Sequence, residues 1–356
     1  MTALTRMPLA SLTTARVGGP ARRFLEAESE DELIIAVRAA DEAGEPLLII
    51  GGGSNLLISD EGFDGAVIHI ATRGMEITET TDGAVLRAEA GQPWDELVAY
   101  TLSQGYSGLE ALSGIPGLAG ATPVQNVGAY GADVSQSILS VRAWDRRERR
   151  VVDFSNADLQ FGYRDSLLKR STDNGSPRYV VLTVEFELSK GSISAPIRYA
   201  ELAAALGVQT GERADAVDVR REVLQLRAGK GMVLDASDPD TYSTGSFFTN
   251  PIVDEATAAT LPDEAPRYPV AEPGQVKLSA AWLISHAGFR KGFGLAPEDG
   301  TGGRAALSTK HTLAVTNRGE ATAEDLLVVA RAVAGGVEKA FGIRLHPEPV
   351  LVNCSL

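Results

Sequence analysis

Apolar positions in SEDELIIAVRAADEAG (29–44) recur at helical spacing, with Leu33, Ile34, Val37 and Ala40 on one stripe. Ser29 and Glu32 carry the signature of a capping box, and Gly44 supplies a C-terminal stop. The period then changes. EPLLII (45–50) is short and almost continuously apolar, as a buried strand requires, and it empties into GGGSN (51–55). AVIHI (66–70) and AVLRAEA (84–90) read as strands, and PWDELVAYTLSQG (93–105) as a helix with Pro93 at its first position. Further strands are predicted at SVRAWD (140–145) and YVVLTVEFELS (179–189). A short helix, AELAAALG (200–207), lies in a passage between Lys190 and Ala214. Beyond it the pattern predicts helices over 215–229, 277–288 and 323–342, a strand HTLAVTN (311–317) and a strand IRLHPEPVLVN (343–353). The insert APEDGTGG (296–303) reads as an exposed loop. No segment repeats another. The fold class is α+β, with mixed sheets in two or three lobes.

Length and charge narrow the chemistry. At 356 residues the chain has room for two domains, and 44% hydrophobic with 22% charged residues is ordinary globular composition. A net charge of -14 argues against a general nucleic-acid partner, because phosphate backbones attract basic faces. One cysteine, Cys354, excludes a disulfide framework within the chain and fits the cytoplasm. The opening MTALTRMPLASLTT lacks the apolar run of a signal peptide. No stretch approaches the ~18 apolar residues of a membrane span, so no membrane insertion is expected. His69, His286, His311 and His346 have no metal-ligand spacing, so no metal site is expected. Difficult chemistry would then come from an organic cofactor.

Two glycine-rich runs are candidates to hold it. In IIGGGSNLL a strand meets Gly51, Gly52 and Gly53, followed by Ser54, Asn55 and Leu56. Successive glycines can turn several N–H groups toward one point and so make an anion nest fit for a pyrophosphate. The G-x-G-x-x-G fingerprint fails, since Leu56 stands at its sixth position, and the Walker pattern fails too. Taken alone, a tight strand-to-strand turn explains the run equally well. The stretch between Gly105 and Ala132 is too apolar for a linker and too rich in Gly and Pro for a regular element. Two such runs in one half of the chain suggest an extended cofactor touched from two sides.

GGGSNLL and GIPGLAGATPVQNVGAYG, followed in order by FGYRDS, GSFFTNP and HPEPV, resemble the UDP-N-acetylenolpyruvoylglucosamine reductase family. The likeness spans nearly the whole chain. It implies an FAD-binding domain of the vanillyl-alcohol-oxidase (PCMH) type over 1–195, in two lobes. A C-terminal α+β substrate-binding domain follows over 210–356, with its last strand free to pack back on the N-terminal lobe. Noncovalent FAD would rest on Gly51 to Leu56 and on Gly114, Ile115, Gly117, Gly120 and Ala121. Pro123, Gln125, Asn126 and Gly128 complete that lining. NADPH would supply the hydride, and the product would be UDP-N-acetylmuramate for bacterial peptidoglycan. The expected state is a monomer.

Adding hydride to an enolpyruvyl ether leaves negative charge beside a carboxylate, which calls for a cation, a second polarising group and a positioned acid. By family resemblance these are Arg164 of QFGYRDS, Glu348 of LHPEPV and Ser246 of GSFFTNP. Read alone, YRD is a structural Arg–Asp pair and GSFF a strand-edge turn. Phe247 and Phe248 would keep bulk water from Ser246, and the prolines flanking Glu348 restrict its backbone. His346 stands where relatives often carry an acid. Tyr199 resembles the tyrosine that folds over the substrate in one family subtype. Tyr130, Tyr163, Arg227 and Lys230 fall at further substrate positions, as do Asn250 and Tyr268, with His311 where some relatives carry glutamine. Local cations can outweigh a distant net charge, since screening sets in beyond about 8–10 Å. The alternatives are another PCMH-type flavin oxidoreductase acting on a sugar or alcohol, and a flavin- or nucleotide-binding module without catalysis. No histidine or cysteine in either glycine run is available to bond a flavin covalently.

Overall fold

The helix Glu30–Glu42 begins where Ser29 accepts the N–H of Glu32 at 3.3 Å. The Glu32 carboxylate reaches back to the N–H of Glu28 at 3.0 Å, one residue before the position a capping box would use. Leu33, Ala36, Val37 and Ala40 are its buried stripe, and Gly44 follows its end with φ of 60°. In the computed structural model the described residues are 4–173, 175–270, 272–296 and 299–356. Met1 to Ala3, Asn174, Ala271, Pro297 and Glu298 lie outside them, so the APEDGTGG expectation is answered only in part.

The chain divides into two units, each assembled from three segments. The first takes Met1–Pro8, Pro20–Gly53 and Phe63–Val233. In its smaller sheet Leu4–Pro8 runs antiparallel to Pro20–Ala27, which pairs in parallel with Phe63–Ile70, and Leu47–Ile50 closes the other edge in parallel. Its larger sheet is antiparallel, in the order Arg150–Ser155, Ile138–Asp145, Tyr179–Lys190, Gly83–Glu89, Met75–Glu79. Tyr106–Ser107 also pairs with Tyr179–Lys190. Leu25, Leu33 and Ile68 share one core with Leu86, Trp94 and Phe186. Trp94 is fully buried, and its indole N–H reaches the carbonyl of Leu112 at 2.9 Å, which ties the helix Trp94–Ser103 to the glycine-rich stretch. Pro93 lies one position before that helix rather than at its first turn. Helices Ala200–Leu206 and Ala216–Gly229 pack around their own small core of Ile197, Leu202, Val219 and Val223.

The second unit takes Leu9–Gly19, Ser54–Gly62 and Leu234–Leu356. Helices Ala280–His286 and Ala323–Phe341 bury Leu283, Ile284, Leu326, Leu327 and Val333 against Phe247 and Phe248. Ile252–Asp254, Gln275–Leu278 and Arg267–Pro269 form a small antiparallel sheet, so Lys277 and Leu278 are strand where helix was expected. Val350–Val352 pairs in parallel with Leu56–Ile58.

Two predicted strands are shorter than their patterns. HTLAVTN is strand only over Val315–Asn317, because the Ser308 hydroxyl accepts the N–H groups of Lys310 and His311 and bends the chain before it. IRLHPEPVLVN is strand only over Val350–Val352; Pro347 and Pro349 have no N–H to give a ladder. Within APEDGTGG, Thr301 is buried and donates to the carbonyls of Gly294 and Ala305, while Asp299 accepts from Gly294 N–H, so this part is pinned rather than simply exposed. No helix among the described residues is long and apolar enough to cross a membrane.

One ion pair braces the glycine-rich stretch. The Asp95 carboxylate accepts from Gly114 N–H at 2.6 Å and from Arg220 at 2.6 and 2.8 Å. Burial alone would raise its pKa; the Arg220 and Gly114 hydrogen bonds outweigh it and hold the group below the ordinary carboxylate value. A lowered folded-state pKa contributes stability above the unfolded value of about 3.9, and that contribution is lost as pH falls through the folded value. Asp95→Asn should therefore destabilise the protein at neutral pH and less so in acid. Urea unfolding of both proteins at neutral pH and near pH 3 checks this; a gap that does not narrow in acid removes the ion pair as its source.

Candidate functional site

In the first unit the two glycine-rich runs touch. A Cβ built on Gly52 would stand 2.7 Å from Gly117 Cα, and one on Gly51 would meet Leu118 at 3.3 Å. Gly120 lies so close to Ala90 that a Cβ would come within 2.4 Å of the alanine Cβ. Gly53, Gly114 and Gly117 take φ of 59°, 70° and 119°, which a larger residue adopts only with strain. Gly117 O accepts the N–H of Trp94, and Gly120 N–H donates to Ala90 O. Ile115 packs on the core, whereas Ala121, Pro123 and Gln125 line the 3₁₀ turn Ala119–Ala121 and the chain beyond it. At Gly52 and Gly117 the two backbones meet directly, which brings peptide groups of both runs to one place, as holding the pyrophosphate of a flavin dinucleotide requires.

Asn126, Tyr130 and Arg164 all take left-handed backbone conformations, with φ of 48°, 50° and 53°. Such strain costs of order 1–3 kcal/mol at each residue and persists only where surroundings enforce it. Here they do. The Arg164 guanidinium donates to the carbonyls of Gly128 at 2.8 Å and Asn126 at 3.3 Å. The Asn126 amide donates to Gly162 O at 3.0 Å, and Lys169 Nζ donates to Arg164 O at 2.8 Å. Asp165 pairs with Arg170 instead of Arg164, so the plain Arg–Asp pair that YRD suggests is not what forms. Tyr163 is exposed, with the Arg164 guanidinium 5.7 Å from its ring centre.

Also in this unit, Tyr130 and Tyr199 meet edge to face at 5.5 Å. Lys230 Nζ lies 5.6 Å from the Tyr130 ring centre and pairs with Glu201 at 2.5 Å. Burial pushes the Tyr130 hydroxyl up to about 12, so it is neutral and a donor at working pH. Burial lowers Arg227 to about 10, which leaves it charged. One Arg227 nitrogen donates to Met232 O at 2.8 Å, but its Nε is fully buried with no hydrogen-bond partner. An orphaned, buried cationic donor is costly, and an anionic ligand would remove the cost.

In the second unit, Ser246 and Glu348 come from two extended segments laid side by side outside any regular strand. Phe248 and Pro347 form an antiparallel bridge, Glu348 N–H donates to Phe247 O at 2.8 Å, and Thr249 N–H donates to His346 O at 3.1 Å. Phe247 and Phe248 are each 1% exposed, while Ser246 is half-buried. The other edge of Phe247 donates to Leu313 O at 2.7 Å, which brings in the turn carrying His311. Asn55 donates to Glu348 O at 3.4 Å, and its own carbonyl accepts Val350 N–H, so the asparagine of the first glycine motif supports the Glu348 segment. Ser54 precedes it in the same segment, and Leu56 begins the strand paired with Val350–Val352. Asn250 accepts Ala280 N–H at 2.9 Å, a helix-supporting role absent from its sequence reading. Tyr268 lies exposed on Arg267–Pro269 with Lys277 Nζ 5.9 Å from its ring centre. The Thr244 hydroxyl, two residues before Ser246, is buried without a partner.

The chain resembles known proteins over nearly its full length. A family model described as UDP-N-acetylenolpyruvoylglucosamine reductase, C-terminal domain, matches residues 238–352, and an FAD binding domain model matches 21–154. A UDP-N-acetylenolpyruvoylglucosamine reductase from Saccharopolyspora erythraea is 55% identical across 98% of this chain and 95% of its own. The Streptomyces coelicolor protein of the same name is 54% identical across 98% and 90%. Among solved structures, UDP-N-acetylenolpyruvylglucosamine reductase from Thermus caldophilus superposes with a TM-score of 0.63 at 24% identity, covering 99% of this chain and 98% of that one, which establishes the shared fold.

The glycine contact makes a prediction. Gly52→Ala forces its Cβ against the Gly117 backbone, whereas Gly335→Ala adds a Cβ in open space. Purified Gly52→Ala should carry markedly less flavin per chain by absorbance, and Gly335→Ala should match the wild type. Equal flavin content in all three would show that this approach does not shape the cofactor site.

Proposed function

The chain belongs to the UDP-N-acetylenolpyruvoylglucosamine reductase family, and from that premise we propose that it is an FAD-dependent, NADPH-using enzyme that reduces UDP-N-acetylenolpyruvoylglucosamine to UDP-N-acetylmuramate for peptidoglycan synthesis. The observation that carries this reading is 55% identity to a curated reductase across 98% of the chain. We assign FAD binding to residues 1–195 and substrate binding to 210–356; within these the FAD-binding model covers 21–154 and the reductase C-terminal model 238–352. The enzyme would work in the cytoplasm, which its single cysteine suits.

Gly51 to Leu56 and the Gly114 to Gly128 stretch would hold FAD, which would supply the means of carrying a hydride from NADPH to the methylene carbon of the enolpyruvyl group. Arg164 is assigned to the adjacent carboxylate, where charge grows. A guanidinium stays ionised throughout, and carbonyls already orient this one, so it needs little reorganisation. Ser246 is assigned to protonate the α-carbon: its O–H bond breaks as the C–H bond forms, and water then restores the hydroxyl proton. Phe247 and Phe248 limit competing water beside it. Glu348 is assigned to orient and polarise the carboxylate. Arg227 and Lys230 suit the diphosphate, a role the orphaned Arg227 Nε supports. Tyr199 would cover the substrate, and Tyr130, Tyr163, Asn250, Tyr268 and His311 would complete its contacts.

The holoenzyme should be yellow and lose colour with NADPH under anaerobic conditions. The enolpyruvyl sugar nucleotide should restore it rapidly. Fast recolouring by oxygen alone would indicate an oxidase, and no bleaching a binding module. Ser246→Ala should bleach at the wild-type rate and recolour ~10²–10⁴-fold more slowly, the usual contribution of a positioned acid. Unchanged recolouring would remove Ser246 from the reaction.

A further inference from the structure

Asp240 is a carboxylate that the reaction above does not use, yet it is only 3% exposed. It lies in the 3₁₀ turn Pro239–Thr241, and its oxygens accept from Thr309 N–H at 2.9 Å, Arg318 Nη1 at 2.7 Å and the Thr309 hydroxyl. Beside it, Asp238 takes Lys310 Nζ at 2.6 Å. The Ser308 hydroxyl closes the same turn by accepting the N–H groups of Lys310 and His311 at 3.0 and 3.2 Å. Two carboxylates thus fasten the turn from Ser308 to His311. Leu313, just beyond it, gives its carbonyl to Phe247 N–H at 2.7 Å.

A second path leads from Asp240 to the same place along the chain. Tyr242 O accepts Asn317 N–H at 2.9 Å, and Ser243 O accepts the Thr14 hydroxyl at 2.7 Å. The chain is therefore pinned at the carbonyls of Tyr242 and Ser243 before it reaches Ser246. Burial alone would favour the neutral acid at Asp240; the Thr309 and Arg318 hydrogen bonds outweigh it and keep the group ionised.

We propose that Asp240 is a positioning residue for Ser246, acting through the Ser308–His311 turn and the Leu313–Phe247 hydrogen bond. The inference rests on the reductase reading, in which Ser246 delivers the proton. Proton transfer tolerates little error in placement, and about 1 Å of displacement can cost ~10²-fold in rate. Hydride transfer from NADPH to flavin does not use Ser246. A loosened turn should therefore slow one half-reaction and spare the other, which a general loss of stability would not do.

The test uses FAD-loaded Asp240→Asn in anaerobic stopped flow. The amide keeps the size of the carboxylate but loses its charge and one acceptor. NADPH bleaching should stay within about twofold of wild type, while substrate-driven recolouring slows by ~10–10²-fold. The solvent deuterium isotope effect on recolouring should rise, because proton delivery becomes the slow event. Thr309→Val, which keeps the N–H contact and loses the hydroxyl, should slow recolouring less, in the same direction. A folded Asp240→Asn with wild-type recolouring and isotope effect overturns the proposal, as does equal slowing of both half-reactions. If Asp240→Asn does not fold, Thr309→Val decides, and wild-type recolouring there overturns it. A wild-type holoenzyme that the enolpyruvyl substrate fails to recolour would instead overturn the reductase reading, and this inference with it.

Discussion

The backbone of Phe247 is hydrogen-bonded on both edges, giving its N–H to Leu313 and accepting from Glu348. Its ring, packed 5.1 Å from that of Phe248, is buried in the core of the second unit. A peptide held this way cannot rotate without breaking two hydrogen bonds and opening apolar surface. Ser246, the adjacent residue, inherits that rigidity while remaining half-buried. A small hydroxyl beside two aromatics is odd as core or linker chemistry, but natural where one group must be aimed and its neighbours kept dry.

The first unit solves a related problem with backbone rather than side chains. Gly52 meets Gly117 where it could not carry a Cβ, and Asn126 and Arg164 hold left-handed conformations within a web of hydrogen bonds to Gly128, Gly162 and Lys169, while Tyr130 takes one in the turn between the paired residues Ala129 and Ala132. Asp95 and Arg220 brace the same stretch from a helix on either side of it in sequence. Strain of this kind is retained where a polar group must face a fixed direction. Both units therefore prepare their charged and hydroxylic groups before any ligand arrives, which lowers the reorganisation left for the reaction.

What the sequence revealed follows from the range of the forces involved. The Glu30–Glu42 helix was legible because its cap, apolar stripe and stop all lie within sixteen residues or so of one another. Met75–Glu79 and Arg150–Ser155 were missed because these edge strands have mostly exposed or half-exposed positions and little apolar pattern. HTLAVTN looked like a strand throughout because its β-formers are local, whereas the turn that Ser308 bends before it is anchored through Thr309 by a carboxylate some seventy residues away, Asp240. The motif residues could be named in advance by resemblance. Their supports, Asp95, Lys169, Asn317 and Asp240, are ordinary polar residues whose partners only folding brings near.

The second unit also has a history imposed by its threading. Asn55 and Glu348 are 293 positions apart, yet the strand following one pairs with the strand following the other. At translation speeds of about 5–20 residues per second, roughly 15–60 s separate their emergence from the ribosome. Leu56–Ile58 must wait through that interval as an unpaired apolar edge, the kind of surface on which nascent chains stick to one another. The demand for chaperone protection during synthesis should therefore be set by the second unit, although its first segments are made within the opening sixty residues or so.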